Sequence, residues 1–282
     1  MVKKSLGGYV PQKRRGRFRI FCGIHFYRTL RFLWWIRYGK RFAKKSGLDE
    51  EELRHKFPFV VFSHSVPLYR NLSETDSLLQ EGKVANLRLA TKKISGAVVE
   101  PGKVFSYWKL LGNPTGARGF KKGMMLENGR PVARTGGGLC ALSNLVYWMT
   151  LHTNLRVVER WRHSYDVFPD SNRTQPFGSG ATCVYNYRDL MVLNSTKNVY
   201  ALLVWIDGEK LCGEWRTDVP VGDRYEVYQK EHWITSEIGN VYVRHNRIFR
   251  KHFVDGQFDG EELVAENHAK MMYEPLLAQE SK

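Results

Sequence analysis

No aspartate or glutamate occurs in the first 45 residues, although fourteen lysines and arginines do. The formal charge of the 282-residue chain is +16, and setting those fourteen aside leaves two for the rest. The basic charge therefore belongs to an N-terminal arm and not to the body. No nucleic-acid reader motif accompanies it, so nucleic acid is not an expected partner. Long apolar runs are absent as well. None approaches the roughly 18 consecutive apolar residues of a membrane-spanning helix. The four cysteines, Cys22, Cys140, Cys183 and Cys212, form no CxxC pair and no dense framework. That pattern predicts free thiols in a reducing compartment. No HExxH or Cys/His ligand spacing occurs, so no metal and no cofactor are expected. Neither internal repeats nor low-complexity blocks are found.

What is present suggests one large domain with an appendage. Hydrophobic residues make up 43% of the chain, ordinary for a globular core. The arm, residues 1–45, begins polar and then becomes rich in aromatics from Phe18 to Tyr38. On a helical wheel Phe26, Leu30 and Leu33 share one side, and Arg28 and Arg31 the opposite one. Two readings follow: an amphipathic helix on an anionic membrane surface, or a helix packed on the body with its arginines in water. Arg28 and Arg31 interrupt the apolar stretch and no small-residue cleavage pattern follows, which argues against a secretory signal. The expected location is cytoplasmic, with the arm peripheral at the inner membrane face.

From residue 46 to 282 the pattern predicts an α+β domain. Asp49 should cap a short helix. Residues 57–62 read as a buried strand with His64 at its exit, a histidine more often hydrogen-bonded in a loop than functional. Leu87, Ala90 and Ile94 stripe a helix over residues 86–99, and a strand begins at Val104. Residues 181–187 resume a strand. Residues 189–194 and 199–206 should pair through the turn between them. Residues 239–244 and 248–253 should pair across His245-Asn246-Arg247, and from Asp255 onward a short helix and a loose tail are expected.

The organising stretch is Thr135-Gly136-Gly137-Gly138-Leu139-Cys140. Three consecutive glycines mark backbone with unusual torsions or close approach. Leu142, Leu145, Val146 and Met149 then repeat at the spacing of one buried helical face. Cys140 should occupy the first turn of that helix, where the dipole favours thiolate, and the helix should pack on a mainly antiparallel sheet. Residues 155–164 read as a strand able to carry His163 back toward Cys140, the pairing a thiol nucleophile and its base require. The irregular polar segment from Ser164 to Gly180 reads as a binding loop.

Pro101-Gly102 with Phe105-Ser106, the block Gly136-Gly137-Gly138-Leu139-Cys140, Glu159-Arg160 with His163-Ser164, and the run from Asp166 to Thr182 together resemble the VanW family. The resemblance spans about residues 86–200. It implies an accessory protein of VanB-type glycopeptide (vancomycin) resistance acting in a cell-wall context, with no agreed reaction. Two positions depart from the family pattern. Ala141 stands where glutamine usually follows the cysteine, and Gly180 where aspartate usually precedes Ala-Thr.

Two functional classes remain open at this stage. In the first, a cysteine-dependent hydrolase or acyltransferase acts on peptidoglycan-type peptides. Cys140 would be the nucleophile, His163 the base and Asp166 the orienter, with backbone N–H groups from Gly138 to Ala141 holding the oxyanion. In the second, an accessory module binds a cell-wall peptide or a lipid-linked precursor. Its groove would use Gly136, Gly137, Gly138, Ser164, Asp170 and Arg173, with Trp148, Trp161 and Tyr165 as candidate lining.

Overall fold

Asp49 accepts a hydrogen bond from the Glu52 backbone while the Glu52 side chain bonds back to the Asp49 N–H, closing a capping box. This starts the first helix of the body. The computed structural model describes residues 16–69, 77–127, 129–162, 164–167, 175–237 and 241–274. Its helices are α1 (Arg17–Arg37), α2 (Glu50–Lys56), α3 (Ser77–Ile94), α4 (Tyr107–Leu111) and α5 (Cys140–Leu151). The strands are β1 (Lys44–Lys45), β2 (Phe59–Pro67), β3 (Ala97–Val99), β4 (Val104–Ser106), β5 (Lys122–Glu127), β6 (Arg130–Thr135) and β7 (Arg156–Glu159). They continue as β8 (Tyr165–Asp166), β9 (Met191–Leu193), β10 (Tyr200–Asp207), β11 (Lys210–Thr217), β12 (Asp223–Glu237), β13 (Val241–Val254) and β14 (Gln257–Met271).

Among the described residues these strands form four sheets. The first is antiparallel in the order β1-β3-β10-β11-β2. The others run β12-β13-β14-β8, β4-β9-β7 and β5-β6, and the short β14–β8 pairing is parallel. The fold is α+β. Strand β10 sits centrally in the first sheet and buries both of its faces. Tyr200, Leu202 and Val204 enter the main core, while Ala201 and Leu203 meet Leu53 and Phe57 of α2 and its C-cap. On the main-core side lie α3, with Leu87, Ala90 and Ile94 fully buried, and α5. Thr150 of α5 accepts a bond from the Trp215 indole, fixing helix to sheet. Each large apolar side chain buried here contributes about 1.5–3 kcal/mol. The far end of α5 is closed by Arg250 of β13, which donates to the carbonyls of Leu151 at 3.1 Å and Thr153 at 3.0 Å.

Several elements differ from the sequence reading. Strand β2 lies at a sheet edge and is largely exposed, and His64 sits inside it rather than at its exit. The β4 strand ends at Ser106, whose hydroxyl accepts the Lys109 N–H and starts α4. Residues 181–187 form a turn-rich segment with an isolated bridge between Val184 and Arg188, not a strand. Strands β9 and β10 do not pair, because Asn194 clamps the carbonyls of Val99 and Asn198 and the chain crosses between sheets there. Strand β13 runs straight through His245-Asn246-Arg247, and β14 replaces the expected helix and tail. The turn between them is Asp255-Gly256, both at positive φ, the torsions a two-residue hairpin turn demands.

Of the two readings of the N-terminal helix, the one that packs it on the body with its arginines in water is overturned. The arginine side of the helix faces the body. The Arg31 guanidinium bonds both oxygens of Glu159 at 2.8 Å, Arg28 lies over the Tyr185 ring, and Trp35 is buried. Phe26, Leu30 and Leu33 face outward and are exposed. After the helix, Phe42 and Ala43 join the core and β1 pairs with β3.

Candidate functional site

The glycine loop enters α5 through contacts that no side chain would permit. Gly136 and Gly138 have φ of 76° and 88°, a region that strains other residues. Gly137 is fixed by space: a Cβ there would stand 2.1 Å from the Gly123 carbonyl oxygen. Asn86 of α3 holds the three segments together. Its amide donates to the carbonyls of Lys121 at 3.0 Å and Gly137 at 2.9 Å, and its oxygen accepts the Lys121 N–H at 2.7 Å. The loop is thus backbone packed on backbone, as the run of glycines implies.

Cys140 begins α5, as expected, but its surroundings disfavour a thiolate. The thiol donates to the Cys183 carbonyl at 3.9 Å, a long contact even for sulfur. Burial pushes its pKa up, against the smaller opposite pull of backbone hydrogen bonds. Burial likewise raises Cys183, Tyr107 and Asp189; Cys140 and Asp189 raise Cys183 and Tyr107 further, and Glu159 raises Asp189. The Asp189 carboxyl is pushed up to about 7 by desolvation, even though it accepts bonds from Ser106 Oγ at 2.5 Å and from the N–H groups of Trp108 and Leu190. A negative charge on Cys140 would enter a buried cluster of acids. Burial thus opposes the helix dipole, whose favour for a thiolate is about 0.3–1 kcal/mol.

One backbone donor beside Cys140 is also engaged. The Ala141 N–H, one of the expected oxyanion donors, bonds the Gly138 carbonyl at 3.0 Å. Residues 178–183 lie across the first turns of α5. Ser143 Oγ donates to the Ala181 carbonyl at 2.7 Å, and Asn144 Oδ1 accepts the Ala181 N–H at 2.8 Å. A Cβ on Gly180 would stand 2.6 Å from that same Asn144 oxygen, so a carboxylate side chain at this position requires Asn144 to move.

Glu159 and Arg160 hold this arrangement from the side. Arg160 donates to the carbonyls of Gly178 and Gly180, reaches Asn267 Oδ1 at 3.3 Å, and stacks its guanidinium on Tyr147. Glu159 accepts from Arg31, from the Trp161 indole at 2.8 Å and from the Asp189 N–H at 3.0 Å. Both residues of the Glu-Arg pair are therefore brackets, one for the helix α1 and one for the segment over α5.

Of the remaining site residues proposed from sequence, the structure describes Ser164 and Asp166. Strand β7 ends at Glu159, so it does not extend to residue 163, and His163 lies outside the described residues, as do Asp170 and Arg173. Asp166 is buried in β8, where it accepts from Tyr273 at 2.7 Å and pairs with Arg244 at 3.3 Å. The Ser164 carbonyl accepts the Lys270 N–H at 3.0 Å. Trp148 is buried and Trp161 exposed. No group of His, Cys, Asp and Glu among the described residues is arranged to hold a metal ion. Sequence reasoning missed Asp189, Tyr107, Ser143 and Asn144. Asp189 borders the apolar run Leu190–Leu193, where a lone acid is a weak hint of a buried, hydrogen-bonded carboxyl.

Comparison with known proteins gives a consistent result. The family described as VanW like protein matches residues 82–216. The chain is 33% identical over 185 residues to "Vancomycin B-type resistance protein VanW" of Enterococcus faecalis, covering 66% of this chain and 67% of that protein. It is 29% identical over 82 residues to "Uncharacterized protein YoaR" of Bacillus subtilis, covering 29% of this chain and 27% of that one. No solved structure matches.

Proposed function

The chain belongs to the VanW family, and from that premise we propose that it is a VanW-like accessory protein of vancomycin resistance that acts in a cell-wall context by binding, not by thiol catalysis. The relative's printed name supplies the resistance setting. The observation that carries the non-catalytic part is the state of Cys140: a thiol with a raised pKa, bonded to the Cys183 carbonyl and surrounded by buried acids. A nucleophilic cysteine needs the reverse, a lowered pKa beside a cation or an accessible base. The glycine loop and the Glu159–Arg160 brackets then serve to fix a rigid face. The ligand class for that face is a wall peptide or a lipid-linked precursor.

The test pairs chemistry with phenotype. At about pH 6.5, iodoacetamide should label Cys140 no faster than it labels the same residue in denatured chain. Cys140→Ser should leave both the unfolding midpoint and the resistance phenotype of a host unchanged. Fast labelling, with resistance lost in a Cys140→Ser protein that remains folded, would overturn the binding reading in favour of the cysteine hydrolase or acyltransferase.

A further inference from the structure

The outward face of α1 has no partner among the described residues, and its layout is specific. Arg19, Phe26, Leu30, Leu33 and Arg37 fall at i, i+7, i+11, i+14 and i+18, on one line along the helix. The three apolar residues occupy the middle and an arginine stands at each end. Phe18 and Ile36 widen the apolar band, with Phe18 80% and Ile36 65% exposed. A continuous apolar band of this kind on a helix of 21 residues, about 30 Å long, marks an interaction surface. We propose that α1 is an interfacial helix that seats this face in the headgroup layer of an anionic lipid bilayer while its arginine side holds the body. The inference is independent of what the face around Cys140 binds.

Three observations favour lipid over other occupants. The segment that carries the band is basic only: Arg17, Lys40 and Arg41 flank it in sequence, and the first 45 residues hold no acid. A second copy docked there would place like charge against like, whereas anionic headgroups supply the complement at about 1 kcal/mol per lysine or arginine. The end arginines can reach the phosphate level while the apolar middle lies deeper. No helix among the described residues is long and apolar enough to cross a membrane, so the contact is one of lying on the surface. The two arginines that would have broken the apolar face, Arg28 and Arg31, are used on Tyr185 and Glu159.

The experiment is flotation of the full chain with vesicles of neutral phosphatidylcholine and with vesicles containing about one-third phosphatidylglycerol. The wild type should bind the anionic vesicles about tenfold or more better than the neutral ones. Phe26→Ser, Leu30→Ser and Leu33→Ser combined should lower that binding about tenfold or more, with the unfolding midpoint unchanged because these side chains are exposed. Equal flotation with both vesicle types would overturn the proposal. Binding that survives the triple substitution would also overturn it and assign the effect to the basic tail alone. A wild type that is dimeric by sedimentation, and is rendered monomeric by the same substitutions without any lipid binding, would assign the face to a second copy.

Discussion

The helices α5 and α1 handle the same kinds of side chain in opposite ways. Nine of the twelve residues of α5 are buried, including Ser143 and Thr150, whose hydroxyls are all bonded to backbone. Only Trp35 of the 21 residues of α1 is buried, and its phenylalanines and leucines face out while an arginine faces in. In α5 the apolar stripe does the packing, and polar groups are admitted where a carbonyl awaits them. In α1 the polar side does the packing, through an ion pair and a ring contact. The lesson is that a stripe of apolar residues shows where a helix is amphipathic, not which side meets the protein. The inward side is decided by what the body offers, and here the body offers Glu159.

Three measurements would break or sharpen this contrast. The largest effect is expected from Gly137→Ala, whose new Cβ would lie 2.1 Å from the Gly123 oxygen. It should destabilise the protein by about 4 kcal/mol or more, or remove soluble protein altogether. Gly23→Ala in α1, where nothing lies within 4 Å, should by contrast be neutral or stabilise by up to about 1 kcal/mol in the same denaturation assay. Equal effects at the two sites would erase the distinction.

Next comes Asp189→Asn. Burial raises the Asp189 carboxyl in the fold to about 7, above an unfolded value of about 3.9. Its contribution to stability is therefore fully present below about pH 4 and lost as pH rises through about 7. The amide variant does not titrate. Its stability relative to wild type should thus climb between pH 4 and 8, by on the order of 2–4 kcal/mol, in denaturant titrations at a series of pH values. A difference that stays flat with pH would mean that Asp189 keeps an ordinary carboxyl pKa in the fold and that burial does not hold it neutral.

The smallest of the three is Arg31→Ala. Both partners of its ion pair are largely buried, and loss of the guanidinium leaves Glu159 with the Trp161 and Asp189 donors. A cost of about 1–3 kcal/mol is expected, together with faster proteolysis within residues 17–37 than in the body. A cost near zero would show that α1 is held by Trp35 and its neighbours instead.

Local signals in the sequence carried well wherever one side chain decides the outcome. Asp49 with Glu52, the stripe Leu87-Ala90-Ile94, the start of α5 at Cys140 and the close approach at the glycine triplet are all of that type. Asp255-Gly256 is also a legible hairpin signal, masked by the acidic, polar composition that follows it. What was not legible depends on distant partners. The pairing of β9 is set by Asn194 reaching Val99, and the burial of Asn246 in the middle of β13 by a carbonyl at Phe177. At the candidate site the sequence gives the residue types but not the field around them. The raised pKa of Cys140 comes from burial, and the carbonyl its thiol reaches belongs to Cys183, 43 residues away, which no spacing rule connects.

The cap that Arg250 places on α5 has a consequence in time. The guanidinium reaches Leu151 across 99 residues of chain. Translation at about 5–20 residues per second puts several seconds between the emergence of the helix and the emergence of its cap. Until then the Leu151 carbonyl faces water, while those of Met149 and Thr150 are met locally by the N–H groups of His152 and Thr153. The segment that the family shares ends at residue 216, so its central helix is completed by a strand that lies beyond it. That end of the helix is therefore closed only once β13 has been made.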